Sequence, residues 1–99
     1  RAMMLLQERS TPEGLLVSVC DADVLGETFE NGDLSLTVDP EFYDGEEADA
    51  DAVATSLAEA SVANLVGTES VETAIEHGFV EEGNVLEFEG TVHAQYLRM

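Results

Sequence analysis

The stretch from residue 49 to residue 80 constrains the fold more than any other part of the chain. It contains two segments, DADAVATSLAEASVANLVG and TESVETAIEHG, which repeat apolar residues at helical spacing and each end at a glycine. Each segment begins with a residue type that caps helix N-termini. We therefore predict two helices, one from Asp49 to Val66 and one from Thr68 to Gly78.

Short segments with strand character flank this helix pair. Two apolar runs meet at Pro12 and Gly14, which are typical of a tight turn, and they predict an N-terminal hairpin. Residues 34–38 alternate apolar with polar side chains, and residues 85–97 have the pattern of a closing hairpin. The sequence thus predicts an α+β domain, with a mostly antiparallel sheet of about five short strands and two helices packed on one face.

The charge balance indicates where such a domain would work. The chain has 22 acidic residues and a formal net charge of −19, yet 44% of its residues are apolar and alternate with the acids. This pattern predicts a folded acidic surface and not a disordered tail. So much like charge is tolerated at molar salt, where the screening length is about 3 Å, and we predict a halophilic protein. Phosphate attraction is weak for any protein at that ionic strength, so the charge does not exclude nucleic acid.

Length and cysteine content limit the architecture and the compartment. Ninety-nine residues predict a single domain over residues 1–99, with Arg1 and Ala2 ahead of a natural start at one of the two following methionines. Cys20 is the one cysteine, and we predict that it is a small buried hydrophobe in a reducing compartment. The sequence shows no apolar run of about 20 residues and no signal peptide, which predicts a cytoplasmic protein without a membrane partner.

Four segments in their joint order resemble a known archaeal family, domain of unknown function number 424. They are VCDADVLGETF, EFYDG, ANLVG followed by VETAIEHGFV, and the terminal HAQYLRM. The resemblance covers nearly the whole chain from about Met4, and the acidic composition is similar to that of haloarchaeal proteins. It implies an archaeal origin and a link to translation or ribosome maturation, and it implies no particular activity.

Four polar residues are candidates for a binding surface. Asn64 lies on the apolar face of the first predicted helix, where its amide either ties down neighbouring backbone or contacts a ligand. His93 and Gln95 share one face of the last predicted strand, and Arg98 follows them; an ordinary solvent-facing strand is the alternative reading. We predict that these four residues form the contact surface of a non-enzymatic binding module that acts on RNA or a ribosomal particle.

Two other functions remain open at this point. A protein adaptor would dock a partner through Phe42 and Tyr43, which lie in the acidic stretch from residue 41 to residue 47. A small enzyme would use His93 as a general acid or base with Asp21, although Asp21 is also predicted to cap a short helical turn that follows it. We predict no catalytic residue and no cofactor, because the sequence has no paired catalytic groups and no specific ligand motif. We predict no metal, because the acidic run from Asp44 to Asp51 lacks the spacing of a calcium loop.

Overall fold

The computed structural model describes residues 3–98. Arg1 and Ala2, which the sequence analysis places before the natural start, lie outside the described residues. The strands are β1 (Met4–Thr11), β2 (Gly14–Asp21), β3 (Thr28–Asn31), β4 (Leu34–Thr37), β5 (Glu46–Ala48), β6 (Val62–Val66), β7 (Leu86–Phe88) and β8 (Thr91–Leu97). The helices are α1 (Pro40–Tyr43), α2 (Ala50–Glu59) and α3 (Thr68–Glu76), and two 3₁₀ turns cover Ala22–Val24 and Glu82–Asn84.

Six of these strands form one sheet in the order β5-β1-β2-β6-β8-β7, and β3 and β4 form a separate hairpin. All neighbouring strands are antiparallel except β2 and β6, which pair in parallel with Leu16 opposite Val62 and Cys20 opposite Val66. The α+β class and the mostly antiparallel sheet are confirmed. Within residues 3–98 the sheet has six strands where about five were predicted, one of its pairs is parallel, and there are three helices, two of them long.

The first predicted helix is wrong in its second half. Helix α2 begins after Asp49, whose side chain accepts a hydrogen bond from the Ala52 amide at 2.9 Å, but it ends at Glu59. Ala60 has extended backbone, and the following residues form β6 in the middle of the sheet. Valines at both ends of β6 favour a strand because β-branched side chains fit a pleated surface better than a helix. The predicted helix pair is therefore two helices separated by a central strand.

The two predicted hairpins and the end of the second predicted helix are confirmed, whereas that helix begins after Gly67 and has no side-chain cap from Thr68. The N-terminal hairpin closes with Thr11 opposite Gly14, and the C-terminal hairpin closes with Phe88 opposite Thr91. Helix α3 ends before Gly78, and the Phe79 amide returns to the Ala74 carbonyl at 2.9 Å. No helix within residues 3–98 is long and apolar enough to cross a membrane.

Helices α2 and α3 pack on one face of the sheet and form the larger core cluster. Most of its buried residues come from both helices and from five adjacent strands, and they include Met4, Val17, Val19, Ala48, Val53, Leu57, Ala63, Leu65, Val71, Ala74 and Ala94. The opposite face is covered only in part. There the β3–β4 hairpin and α1 cover a second buried cluster, formed by Leu5, Cys20, Val24, Val38, Tyr43 and Val66.

Candidate functional site: an open sheet face

The uncovered part of the second sheet face carries a row of polar side chains that crosses four strands. The pairing register places Gln7 opposite Ser18, Ser18 opposite Asn64, and Asn64 opposite Gln95. Residues directly opposite one another on neighbouring strands point to the same face of a sheet. We call these four residues the polar row.

A second row lies beside the polar row, farther from the covered cluster. It consists of Arg9, Leu16, Val62 and Leu97, again in direct register. Leu16 and Val62 are half-buried, and Leu97 is 55% exposed. The polar row together with this mostly apolar row is called the open face below.

The open face has no carboxylate, although the chain has 22 acidic residues. Its charged group is the Arg9 guanidinium, which lies 6.0 Å from the centre of the Phe42 ring. Acidic side chains begin at the border of the face, where Asp39 and Glu41 line a shallow cleft together with Arg9 and Phe42. The open face is thus a neutral to basic area on a strongly anionic protein.

Hydrogen bonds fix the two ends of the polar row and leave its middle available. Gln7 Nε2 donates to the Asp44 carbonyl at 2.7 Å, and Gln7 Oε1 accepts from Arg9 Nη2 at 3.2 Å. Gln95 Nε2 donates to Asn64 Oδ1 at 3.3 Å. This leaves the amide nitrogen of Asn64 and the side-chain oxygen of Gln95 without partners among residues 3–98.

Ser18 lies at the bottom of the open face between the two longer amide side chains. It is only 2% exposed, and within the described part of the chain its hydroxyl makes no hydrogen bond. A hydroxyl in such a position is expected to find a partner, in water or in a bound molecule. The centre of the polar row therefore offers one hydroxyl, one amide donor and one amide acceptor to a ligand.

Three of the four predicted binding residues are brought together by the sheet. Asn64 and Gln95 are adjacent in the polar row, and His93 lies on the same face, opposite Val66 and Leu86. His93 is half-buried at the edge of the covered cluster. Burial lowers the pKa of His93 from its ordinary value of 6.5, so the imidazole is neutral at pH 7.

Arg98 does not join this group. Alternation along β8 points its side chain to the helix-bearing face, where the guanidinium donates to the Ala58 carbonyl near the end of α2. Its backbone amide donates to the Ser61 carbonyl at 2.9 Å. A cation at a helix C-terminus is stabilised by the helix dipole, which explains Arg98 without a ligand.

Asp21 and His93 lie on opposite faces of the sheet, so the structure does not form the catalytic pair. The Asp21 carboxylate accepts hydrogen bonds from the Glu69 amide at 3.0 Å and from the amide and hydroxyl of Ser70, both at 2.8 Å. The prediction that Asp21 caps the turn after it is wrong, because that turn has no side-chain cap. Asp21 caps α3 instead, since β2 and β6 run in parallel and bring their ends together.

Gly67 is required at the same junction. Its φ is +112°, and a Cβ at this position would lie 2.3 Å from Cγ of Asp21. Any larger residue would therefore combine a strained backbone with a collision. The Asp21 carboxylate occupies the position at the N-terminus of α3 where an anionic ligand would otherwise bind.

Cys20 and Tyr43 belong to the second buried cluster. Cys20 is buried, which confirms the prediction of a small buried hydrophobe, and burial, helped by the nearby Asp21 charge, raises the pKa of its thiol to about 12. Tyr43 is 5% exposed and packs edge-on against Phe42, with ring centres 5.1 Å apart. The expectation that a partner docks through both rings is therefore wrong for Tyr43, which is buried, whereas Phe42 is half-buried. Among residues 3–98, no group of three or more His, Cys, Asp or Glu side chains is placed to hold a metal ion.

Gln7 and Ser18 belong to the polar row but were not predicted from the sequence. Each is a polar residue in a predicted strand, and at least one residue two positions away from it is apolar. This interruption of an apolar face is the one sequence feature that could have indicated them. That signal identifies a face only when the strand order and register are known. Both depend on β6, which was predicted as helix.

Comparisons with known proteins identify the family and the fold of the chain. The family described as "Protein of unknown function (DUF424)" matches residues 8–99. The crystal structure of an uncharacterized conserved protein from Methanopyrus kandleri is similar with a TM-score of 0.80 and 23% sequence identity, over 98% of this chain and 95% of that chain. This likeness shows a common fold. No curated protein matches the chain.

Proposed function

Because the chain belongs to the DUF424 family of proteins of unknown function, we propose a function from the geometry of its open face. The protein acts as a non-enzymatic binding module that docks RNA or a ribosomal particle on this face, as an accessory factor in the cytoplasm of a halophilic archaeon. The observation that carries the proposal is the absence of carboxylates from the open face of a chain with a net charge of −19.

Electrostatics supports this face as the contact surface. A polyanion is repelled by the acidic remainder of the protein, but at molar salt that repulsion is screened beyond about 3 Å. What then matters is the charge directly under the ligand. The open face presents Arg9 and neutral groups to a ligand, so an RNA backbone meets less electrostatic repulsion there than on the acidic remainder of the surface.

The chemistry of the polar row supports recognition through hydrogen bonds. Asn and Gln side chains pair with the edges of unstacked bases, because each offers a donor and an acceptor in one plane. Asn64 and Gln95 are adjacent and each keeps one free amide group, and Ser18 lies opposite Asn64 on the neighbouring strand. Such contacts do not depend on counterion release, so they keep their strength in a salt-rich cytosol better than phosphate contacts do.

A protein adaptor is the second candidate, and the apolar row of the open face favours it. Leu97 is 55% exposed and lies in register with Leu16 and Val62, which forms a short apolar strip beside the polar row. Apolar strips with polar neighbours are common at the centres of protein interfaces. In this version the docking surface is the open face and not the Phe42–Tyr43 pair.

Affinity capture from a halophile lysate at native salt, with and without nuclease, tests the proposal. We expect the tagged protein to sediment with ribosomal particles or to retain RNA, and the association to disappear after nuclease treatment. Replacing both Asn64 and Gln95 by alanine should reduce the captured RNA at least about tenfold, the loss expected for one good base contact. The matched control is Asn84→Ala, which removes an exposed amide outside the sheet.

The two candidates give different results. A single protein partner that survives nuclease and is lost with Leu97→Ser would replace the RNA proposal by the adaptor. Retention of every partner by the Asn64 and Gln95 double variant would show that the open face is not the contact surface.

A further inference from the structure

Strand β8 is paired along only half of its outer side. Strand β7 covers Thr91 to His93, and within residues 3–98 no strand lies beside the following stretch from Ala94 to Leu97. The chain enters β7 from a 3₁₀ turn at Glu82–Asn84, so it does not extend along β8. The sheet therefore has a gap of about four residues in its outermost position.

The backbone groups that face this gap can be identified from the bonds on the inner side. The Val92 carbonyl accepts from the Gly67 amide, and the Arg98 amide donates to the Ser61 carbonyl, both at 2.9 Å. Even-numbered residues of β8 thus point their backbone groups inward to β6. Gln95 and Leu97 point their backbone groups outward, away from β6. This leaves two N–H and two C=O groups to which a further strand could bind.

The other sheet edges are protected. Strand β5 is three residues long and carries Glu46 and Glu47. Strand β7 is bordered by the β3–β4 hairpin, through hydrogen bonds from the Glu89 amide to the Glu30 carbonyl and from Asn31 Nδ2 to the Glu87 carbonyl. Short length, charge and coverage are the usual protections of sheet edges.

The gap in β8 has no such protection. Its stretch contains no proline and no charge before Arg98, and it is bordered on one face by Leu97 at 55% exposure and Leu86 at 42% exposure. An uncharged, open edge flanked by exposed leucines has the properties of a pairing surface.

We propose that a second copy of this chain occupies the gap by antiparallel pairing of the two β8 strands. A two-fold axis through the Gln95–Leu97 stretch would pair the outward backbone groups of both copies, as in an isologous interface. Charge favours a second copy, because residues 91–99 contain no acid and can face each other without bringing carboxylates together. The exposed leucines of the two copies are also brought towards one another.

This pairing goes beyond the proposed function and does not depend on what the open face binds. An axis perpendicular to the sheet keeps the same face of both copies on one side. The two open faces then form one continuous surface, with the two Gln95–Leu97 stretches at its centre.

Sedimentation velocity in molar KCl tests the pairing. We expect a concentration-dependent dimer of the 10.6 kDa chain. Leu97→Lys places a charge at the gap and should weaken the dimer at least about tenfold, because an edge lysine opposes strand addition. The matched control Leu34→Lys changes a leucine of similar exposure, 53%, on the separate hairpin, and should leave the dimer unchanged.

Hydrogen exchange of the unsubstituted protein gives an independent measurement. The amides of Gln95 and Leu97 should become protected as the concentration rises into the dimer range, while the exposed amides of the β3–β4 hairpin should not. A monomer at all attainable concentrations overturns the proposal. So does a dimer that leaves these two amides unprotected, or one that Leu34→Lys weakens as much as Leu97→Lys.

Discussion

At the scale of single residues, Asp21 and Gly67 determine how the two parallel strands connect to α3. One carboxylate accepts three hydrogen bonds at the start of the helix, and the glycine leaves the space that the carboxylate needs. The two positions depend on each other. Shortening residue 21 would remove the collision at position 67, but the strain of a side chain at a φ of +112° would remain.

Asp21→Ala should lower the free energy of unfolding by about 2 kcal/mol, because the buried amides and hydroxyl at the start of α3 lose their acceptor. Urea denaturation at constant molar KCl measures the change. Asp23→Ala, an exposed neighbour, is the control and should change stability by less than about 0.5 kcal/mol. Equal effects of the two substitutions would contradict the capping role.

The second buried cluster, which contains Cys20 and Tyr43, makes the folded state less stable at alkaline pH. Burial raises the pKa of Cys20 from 9.0 and that of Tyr43 from 10.0, each to about 12. Between the ordinary and the raised pKa values, the unfolded chain loses protons that the folded chain retains. The free energy of unfolding therefore falls as pH rises from about 9 to about 12. Denaturation midpoints across this range should show the fall, and Tyr43→Phe should make it shallower. An unchanged slope in Tyr43→Phe would show that Tyr43 ionises equally in both states.

The candidate site could be predicted in part from residues alone. Side chains two residues apart on a strand point to the same face, which is enough to place His93 and Gln95 together on the last strand. The structure confirms that they share a face. Arg98 follows in sequence, but alternation turns it to the other face, where α2 offers its carbonyls. Ser18 could not be identified, because its importance comes from the residues opposite it and not from its neighbours in sequence.

At the scale of elements, β6 is the strand on which the sheet depends. It pairs with β2 on one side and β8 on the other, and α3 follows it directly. Its sequence, VANLV, is a short apolar run. Such a run fits a buried strand and the continuation of a helix equally well, and periodicity alone does not separate them. The extended conformation of β6 follows from its pairing with β2 and β8, which are distant in sequence. A local sequence pattern cannot predict this pairing.

Leu65→Ala should destabilise the protein by about 3 kcal/mol, because Leu65 is fully buried between β2, β8 and the helix layer and its loss leaves a cavity. Thermal or urea unfolding measures the loss. The control Leu34→Ala shortens an exposed leucine on the hairpin and should cost less than about 0.5 kcal/mol. A small effect at Leu65 would indicate that the core around β6 is loosely packed.

At the scale of the whole molecule, the acidic surface makes stability depend on salt. A formal charge of −19 on 99 residues destabilises the folded state by self-repulsion unless ions screen it. The screening length falls from about 10 Å at 0.1 M salt to about 3 Å at 1 M. The acids are therefore explained by the salt-rich environment we propose, without reference to a binding site.

The unfolding temperature should rise steadily as KCl is increased to molar concentrations, since screening relieves repulsion in the folded state more than in the expanded unfolded chain. Differential scanning calorimetry across a KCl series measures the slope. Replacing Glu46 and Glu47 together by glutamine should make the slope shallower, because the charge density of one exposed edge is reduced. A midpoint that does not change with KCl would remove the argument for a salt-rich habitat.

The parallel pairing of β2 with β6 also determines the order in which the chain can fold. The N-terminal hairpin can form as soon as residue 21 has left the ribosome, but its inner edge stays bare until residue 66 follows. Pairing across such a separation is slow compared with closing a hairpin. During synthesis the inner edge of the early hairpin is therefore open to wrong partners until β6 has been made.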